Sequence, residues 1–198
     1  GGVSRRASAG GPVHAGPLMN LPNAITLARL LAVPFIGWLV VQERYGAALV
    51  TFAVAAVSDA VDGMLARLLD QRTALGATLD PAADKLLVVT ALATLAWVER
   101  VPAWFLGVVF VRDLVLSGAY WIVCALGRRL PVRPSLLGKA TTALQLALVV
   151  VVLWSAPAAA GRGPAVPGWA YVAVAIVTVA SGLDYVRRGV AELREAKA

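Results

Sequence analysis

The chain has 198 residues, of which 60% are hydrophobic and only 15% charged, and its mean hydropathy is +0.78. That balance lies far outside the average for soluble domains and identifies an integral membrane protein. The formal net charge of +7 is carried at loop ends and not along one soluble face, so it reads as orientation in a bilayer and not as a nucleic-acid surface.

Apolar runs of about 20 residues match the length a helix needs to cross about 30 Å of hydrocarbon, which excludes a strand reading. The expected fold is all-α: a polytopic membrane protein with six transmembrane helices in one bundle. Residues 1–18 are rich in Gly, Ser, Arg and Pro, and the composition predicts a disordered tail. Met19-Asn20-Leu21-Pro22 reads as a natural translation start, which would leave the preceding stretch upstream of it. No cleaved signal peptide is expected, because the apolar segment that follows carries polar groups and runs too long.

The first span is expected over Asn20 to Gln42, where Asn23, Thr26 and Arg29 step by three and share a helical face. Arg29 lies about 12 Å inside that segment, either snorkelling back to the interface or facing a ligand. Tyr45 to Leu69 is the second span. Asp80 to Val98 is the third, with Pro81 placed in its first turn, where proline is tolerated. The fourth, Pro102 to Leu126, is interrupted by Arg112 and Asp113. Asp113 points about 100° away from Arg112 on a helix and is given no catalytic role. A basic loop over residues 127–134 precedes the fifth span, Leu136 to Ser155, and a Pro/Gly-rich connector precedes the sixth, Trp169 to Tyr185. Residues 19–188 form the transmembrane domain and 189–198 a charged tail. The single cysteine, Cys124, cannot form an intrachain disulfide and reads as buried filler.

Arg5, Arg6, Arg67, Arg72, Arg128, Arg129, Arg133, Arg187, Arg188, Arg194 and Lys197 fall on one side of this arrangement, and Arg44, Arg100 and Arg162 on the other. The positive-inside rule therefore places both termini in the cytoplasm, together with the end of the second span and the start of the third.

That end carries four aspartates, Asp59, Asp62, Asp80 and Asp84, in apolar surroundings. A carboxylate near the hydrocarbon core costs about 2.5 to 3.5 kcal/mol on insertion scales, so four of them need a reason. Asp59 and Asp62 are three apart and Asp80 and Asp84 four apart, so each pair shares a face of its helix. A short loop makes the two helices antiparallel, and their facing ends can gather the carboxylates. Mutual repulsion is then prohibitive without divalent cations between them. Oxygen donors select Mg²⁺, Mn²⁺ or Ca²⁺ over zinc, and His14, the one histidine, lies in the tail. Gly63, Ala66 and Gly76 interleave with the acids, either to admit a ligand or to pack helices closely. Arg67 could hold a phosphate or follow the positive-inside bias. A cation or proton transporter using intramembrane acids as a relay is the rival class, but a relay would distribute its acids through the membrane depth.

Taken together, Asp59-x2-Asp62-Gly63-x2-Ala66-Arg67-x8-Gly76-x3-Asp80-x3-Asp84 matches every fixed position in the signature of the CDP-alcohol phosphotransferase family, which the chain resembles from about Asn20 to Arg188. The segments Pro22 to Arg29 and Leu79 to Lys85, the pair Arg112-Asp113, and Gly138-Lys139 with Gln145 are similar to its glycerophospholipid branch. That branch contains phosphatidylglycerophosphate synthase and the CDP-alcohol type of cardiolipin synthase.

The resemblance implies a bacterial-type inner-membrane enzyme with a cytoplasmic active site, two divalent metal ions (Mg²⁺ or Mn²⁺), and displacement of CMP from CDP-diacylglycerol by an alcohol. It implies Asp59, Asp62, Asp80 and Asp84 as metal ligands, with Asp84 also the general base. Gly63, Ala66, Arg67 and Gly76 would accommodate the CDP moiety, lined by Thr26 and Arg29. Arg112, Arg133 and Lys139 are the cations offered to an anionic acceptor. Glycerol 3-phosphate is the first expectation for that acceptor, although Gly138-Lys139-Ala140-Thr141-Thr142-Ala143 lacks the further basic residue usual in enzymes that use it. Phosphatidylglycerol, giving cardiolipin, is the alternative. Homodimers occur in the family, and the sequence marks no dimer face.

Overall fold

The computed structural model describes the backbone of residues 21–68, 74–125, 136–158 and 163–195, and side chains over 28–58, 85–118, 136–157 and 163–189. Among the described residues all regular structure is helical. The elements are α1 (Leu21–Val41), α2 (Tyr45–Leu68), α3 (Ala74–Trp97), α4 (Ala103–Ala125), α5 (Leu136–Ser155), a single 3-10 turn (Ala156–Ala158) and α6 (Gly168–Glu195). Long runs of Ala, Leu and Val with few breakers explain them: a segment without access to water must satisfy its backbone internally, and a helix does so. By length and composition α5 and the Gly168–Gly189 part of α6 can cross a membrane.

Two boundaries differ from the sequence expectation. Helix α3 begins at Ala74, so Pro81 lies at its eighth position and not in the first turn, and one backbone hydrogen bond is lost inside the helix. Pro34 interrupts α1 in the same way. Helix α6 runs on to Glu195, ten residues past the expected end of the sixth span. Its continuation turns amphipathic, and Arg188 Nε donates to Asp184 Oδ1 one turn earlier at 3.0 Å.

Helix α1 packs against α2 and α3, α6 packs against α4 and α5, and α5 joins the two groups through α2 and α3. The core between them is Ile36, Leu39, Phe52, Leu92, Leu95, Phe105, Val149, Leu153 and Tyr171, all essentially without exposed surface. At the α1–α3 contact Gly37 leaves room where a Cβ would stand 3.2 Å from Thr94 Cγ2. The α5–α6 contact is polar in part, with Thr141, Gln145, Thr178 and Ser181 buried. Gln145 Nε2 donates to Thr178 Oγ1 at 3.3 Å, and Thr178 Oγ1 donates to the Val174 carbonyl at 2.8 Å. Hydrogen bonds of this kind join helices where apolar contact with lipid offers no contrast. The outward faces carry Leu31, Val50, Val54, Leu114, Val150 and Ile176, all exposed. Helices that are apolar inside and out suit a hydrocarbon solvent.

One end of the bundle is tied tightly. Helices α1 and α3 stop with the same closure: Glu43 and Glu99 adopt φ of 55° and 63°, and the following N–H reaches back five residues, Arg44 to the Leu39 carbonyl and Arg100 to that of Leu95. This is a Schellman-type cap with glutamate in the left-handed position usually held by glycine. Arg100 then gathers three junctions. Its Nε donates to Tyr45 Oη at 3.3 Å, and its carbonyl accepts from Tyr171 Oη at 2.9 Å and from the Ala165 N–H at 3.1 Å. The start of α2, the end of α3 and the start of α6 therefore meet. Trp38, Trp97, Trp104, Trp154 and Trp169 stand exposed around this end.

Candidate active site

The tie between Tyr45 and Arg100 fixes the geometry of the acidic segments, since the first residue of α2 and the end of α3 share one end of the molecule. The two helices run in opposite directions along the chain from there, so the end of α2 and the start of α3 are both remote from the tied end. Asp59 stands fourteen residues beyond Tyr45 and Asp84 thirteen residues before Trp97, which puts both about 20 Å from the tied end at the helical rise. Asp62 and Asp80 each stand seventeen residues from the same references, about 25 Å away. Four acidic positions thus occupy two levels, with one from each helix at each level. Gly63, Ala66 and Arg67 follow on α2, and Gly76 precedes on α3. The side chains of all these residues lie outside the described ones.

Arg29 stands twelve residues before the end of α1, about 18 Å from the tied end and close to the level of Asp59 and Asp84. Its side chain is 3% exposed, so it is packed into the bundle and does not snorkel to an interface. A recess of about 300 Å³ between α1 and α2 is lined by Ala28, Arg29, Ala32, Thr51 and Ser58 among others, and Asp59 is the next residue along α2. Thr26 lies one turn before Arg29 on α1, and its side chain is not among those described.

The three cations expected at the acceptor separate. Arg133 lies outside the described residues. Lys139 is exposed on the first turn of α5. Arg112 is largely but not fully buried, its Nη1 donating to Asp113 Oδ1 at 2.8 Å and its Nη2 to Ser181 Oγ at 3.3 Å. Asp113 therefore pairs with its own neighbour despite the 100° offset, because the long arginine side chain spans the angle between adjacent positions. A second cation joins them: Lys85 Nζ lies 4.0 Å from the same Asp113 oxygen and donates to Ser117 Oγ at 3.1 Å. Arg112 Nε is buried with no acceptor among the described residues.

Lys85, Arg112, Asp113, Thr142 and Gln145 line a small pocket of about 110 Å³. Lys85 directly follows Asp84, so this pocket adjoins the acidic levels. The sequence marks Lys85 and Gln145 only as parts of longer matched runs. Their meeting across α3, α4 and α5 has no local signal, although a lysine immediately after an acidic pair in an apolar helix was a usable hint.

Carboxylates supply oxygen alone, the donor type that suits hard divalent cations. Among the described residues no group of three His, Cys, Asp or Glu side chains is placed to hold a metal, and the four aspartate side chains lie outside those residues.

Comparison with known proteins adds four findings. The pattern of the CDP-alcohol phosphatidyltransferase family matches residues 19–183. A cardiolipin synthase (CMP-forming) of Streptomyces coelicolor is 36% identical over 169 residues, covering 79% of this chain and 78% of that protein. A CDP-diacylglycerol–glycerol-3-phosphate 3-phosphatidyltransferase of Pseudomonas fluorescens is 36% identical over 173 residues, covering 83% of this chain and 84% of that protein. A probable cardiolipin synthase (CMP-forming) of Drosophila melanogaster is 30% identical over 185 residues, which are 85% of this chain but 57% of that longer protein.

Proposed function

The chain belongs to the CDP-alcohol phosphatidyltransferase family, and on that footing we propose that it is a membrane enzyme that transfers the phosphatidyl group of CDP-diacylglycerol to an alcohol and releases CMP. The observation that carries the reading is the pairing of acidic positions at two levels, Asp59 with Asp84 and Asp62 with Asp80, on antiparallel helices.

The residues divide the work. Asp59, Asp62, Asp80 and Asp84 hold two divalent cations, Mg²⁺ or Mn²⁺, which supply charge stabilisation to the diphosphate and the departing CMP when bound. Arg29, packed at the level of the acids, and Thr26 line the CDP moiety together with Gly63, Ala66, Arg67 and Gly76. Asp84 takes the proton of the acceptor hydroxyl. Its oxygen then attacks the phosphatidyl phosphorus, and the bond from that phosphorus to the CMP oxygen breaks.

Six helices of 20 to 28 residues span the bilayer in this reading. The exposed tryptophans around the tied end suit an interfacial belt, and the lysine and arginine distribution supports a cytoplasmic position for the acidic end in a bacterial-type inner membrane. Cytosolic access there suits a nucleotide-linked substrate. Glycerol 3-phosphate is one acceptor of this branch and phosphatidylglycerol the other. The surroundings of Arg112, taken up below, favour the second. A homodimer accords with the family.

The test is an assay of the purified chain with CDP-diacylglycerol and Mg²⁺ or Mn²⁺, offering glycerol 3-phosphate, phosphatidylglycerol, inositol phosphate and serine in parallel. CMP release with one acceptor is expected. Release with none of them would sink the transferase reading.

A further inference from the structure

Between α4 and α6 runs an apolar groove of about 510 Å³, with Gly107, Val111, Val115, Val179 and Gly182 on its walls and Arg112 as its one charged lining residue among those described. It extends from Trp104 to Val115 along α4, about 16 Å at the helical rise. A small polar molecule has no use for such a length of apolar wall. Arg112 is also part of the wall of the polar pocket with Lys85 and Asp113, so the groove and the pocket beside Asp84 meet at this side chain.

Among the described residues the charges at the meeting point do not balance. Arg112 and Lys85 share the single carboxylate of Asp113, at 2.8 and 4.0 Å, and Arg112 Nε has no acceptor among the described residues. One positive charge is left over among these described side chains. A phosphodiester carries one negative charge, whereas a phosphomonoester carries about 1.5 to 2 near pH 7. The recess between α1 and α2, beside Arg29 and Ser58, shares no lining residue with the groove. The protein thus offers two separate lateral recesses, one with the buried Arg29 and the other with the largely buried Arg112 on its wall, as a reaction between two lipids requires.

We infer that the α4–α6 groove seats an acyl chain of the acceptor, which is therefore a glycerophospholipid with a free head-group hydroxyl, its phosphodiester held by Arg112 and Lys85. This deepens the transferase reading and rests on it. The head-group hydroxyl oxygen bonds the phosphatidyl phosphorus of the donor, CMP leaves with the broken phosphorus–oxygen pair, and the hydroxyl proton passes to Asp84. The product carries two phosphatidyl groups on one head group.

The experiment uses the full chain in nanodiscs with CDP-diacylglycerol, and compares phosphatidylglycerol, its deacylated form glycerophosphoglycerol, and glycerol 3-phosphate. A second arm uses Gly107→Leu. A Cβ at Gly107 meets nothing within 4 Å, so the leucine grows into the groove and not into packed neighbours, and it improves helix propensity. Gly46→Leu, at an equally open position outside the groove, is the control. Phosphatidylglycerol should be used at least about tenfold better than either water-soluble acceptor, and Gly107→Leu should raise its KM by a similar factor while leaving that of CDP-diacylglycerol unchanged.

Glycerol 3-phosphate used as well as phosphatidylglycerol would overturn the inference and leave the transferase reading standing. A raised KM for CDP-diacylglycerol in Gly107→Leu would assign the groove to the donor and overturn it too. A changed oligomeric mass with both KM values intact would assign the groove to a second copy, with the same consequence. Absence of CMP release with all acceptors would instead remove the transferase reading itself.

Discussion

Arg100 and Tyr45, 55 residues apart in sequence, meet with Nε donating to the phenol oxygen at 3.3 Å and the guanidinium 5.4 Å from the ring centroid. This contact puts the start of α2 and the end of α3 at one end of the bundle, so that the positions of Asp59 and Asp84, and of Asp62 and Asp80, fall at matching distances from it.

The same arginine supports a stability prediction. Tyr171→Phe removes the 2.9 Å hydrogen bond to the Arg100 carbonyl, an oxygen that also accepts from the Ala165 N–H. The loss should be about 1 kcal/mol. Tyr45→Ala removes both the hydrogen bond and the ring beneath the cation, and should cost more. Thermal unfolding in detergent orders the three proteins. Since the tied end is about 20 Å from the acids, turnover per folded Tyr171→Phe molecule should be unchanged.

The glutamates that close α1 and α3 hold left-handed backbone, with φ of 55° and 63°, a conformation that costs a non-glycine residue roughly 1 kcal/mol or more. Glu99→Gly should therefore raise the unfolding midpoint or leave it level, the strain relief being offset by chain entropy. Glu99→Val should lower it. A lower midpoint for the glycine variant than for the valine variant would contradict the cap.

Gly37 sets the distance between α1 and α3. A Cβ there would come within 3.2 Å of Thr94 Cγ2, so Gly37→Ala should cost about 1 kcal/mol as the threonine yields, and Gly37→Leu should cost more by forcing the helices apart. Because Arg29 is carried two turns earlier on α1, the leucine variant should also lose affinity for CDP-diacylglycerol, measurable by equilibrium binding in nanodiscs. Stability lost without any change in that affinity would separate Arg29 from the donor.

Orientation is tested by labelling. In a Cys124→Ser background, a cysteine at Arg162 should react with a membrane-impermeant maleimide from the outer side of intact cells, and a cysteine at Arg129 only after the membrane is opened. The reverse pattern would place the acids on the outer side.

Much of this was legible in the sequence. Helix positions followed from apolar runs cut by Glu43-Arg44 and Glu99-Arg100, and the acidic segments from their spacing. The start of α3 was missed because Pro81 reads as a first-turn residue, and nothing local shows that the helix tolerates it seven positions in. The end of α6 was missed because Arg187 and Arg188 read as a tail, although they continue an amphipathic turn. Arg112 and Asp113 were separated by a rule about Cβ directions that ignores the reach of a guanidinium. The junction of Tyr45, Arg100 and Tyr171 joins residues 55 and 71 positions apart, and single-sequence periodicity carries no such information.

The central claim is that the two levels of paired aspartates hold the divalent cations at which CMP is displaced. It is tested most directly by CMP release from CDP-diacylglycerol in the wild type and in Asp59→Asn, Asp62→Asn, Asp80→Asn and Asp84→Asn, each with Mg²⁺ titrated after chelation. Turnover should vanish on chelation and return with Mg²⁺ in the wild type, and fall at least about 10²-fold in every variant, while Asp84→Asn still binds CDP-diacylglycerol. Full turnover in the chelated wild type, or near-normal turnover in any one of the four variants, would contradict the account.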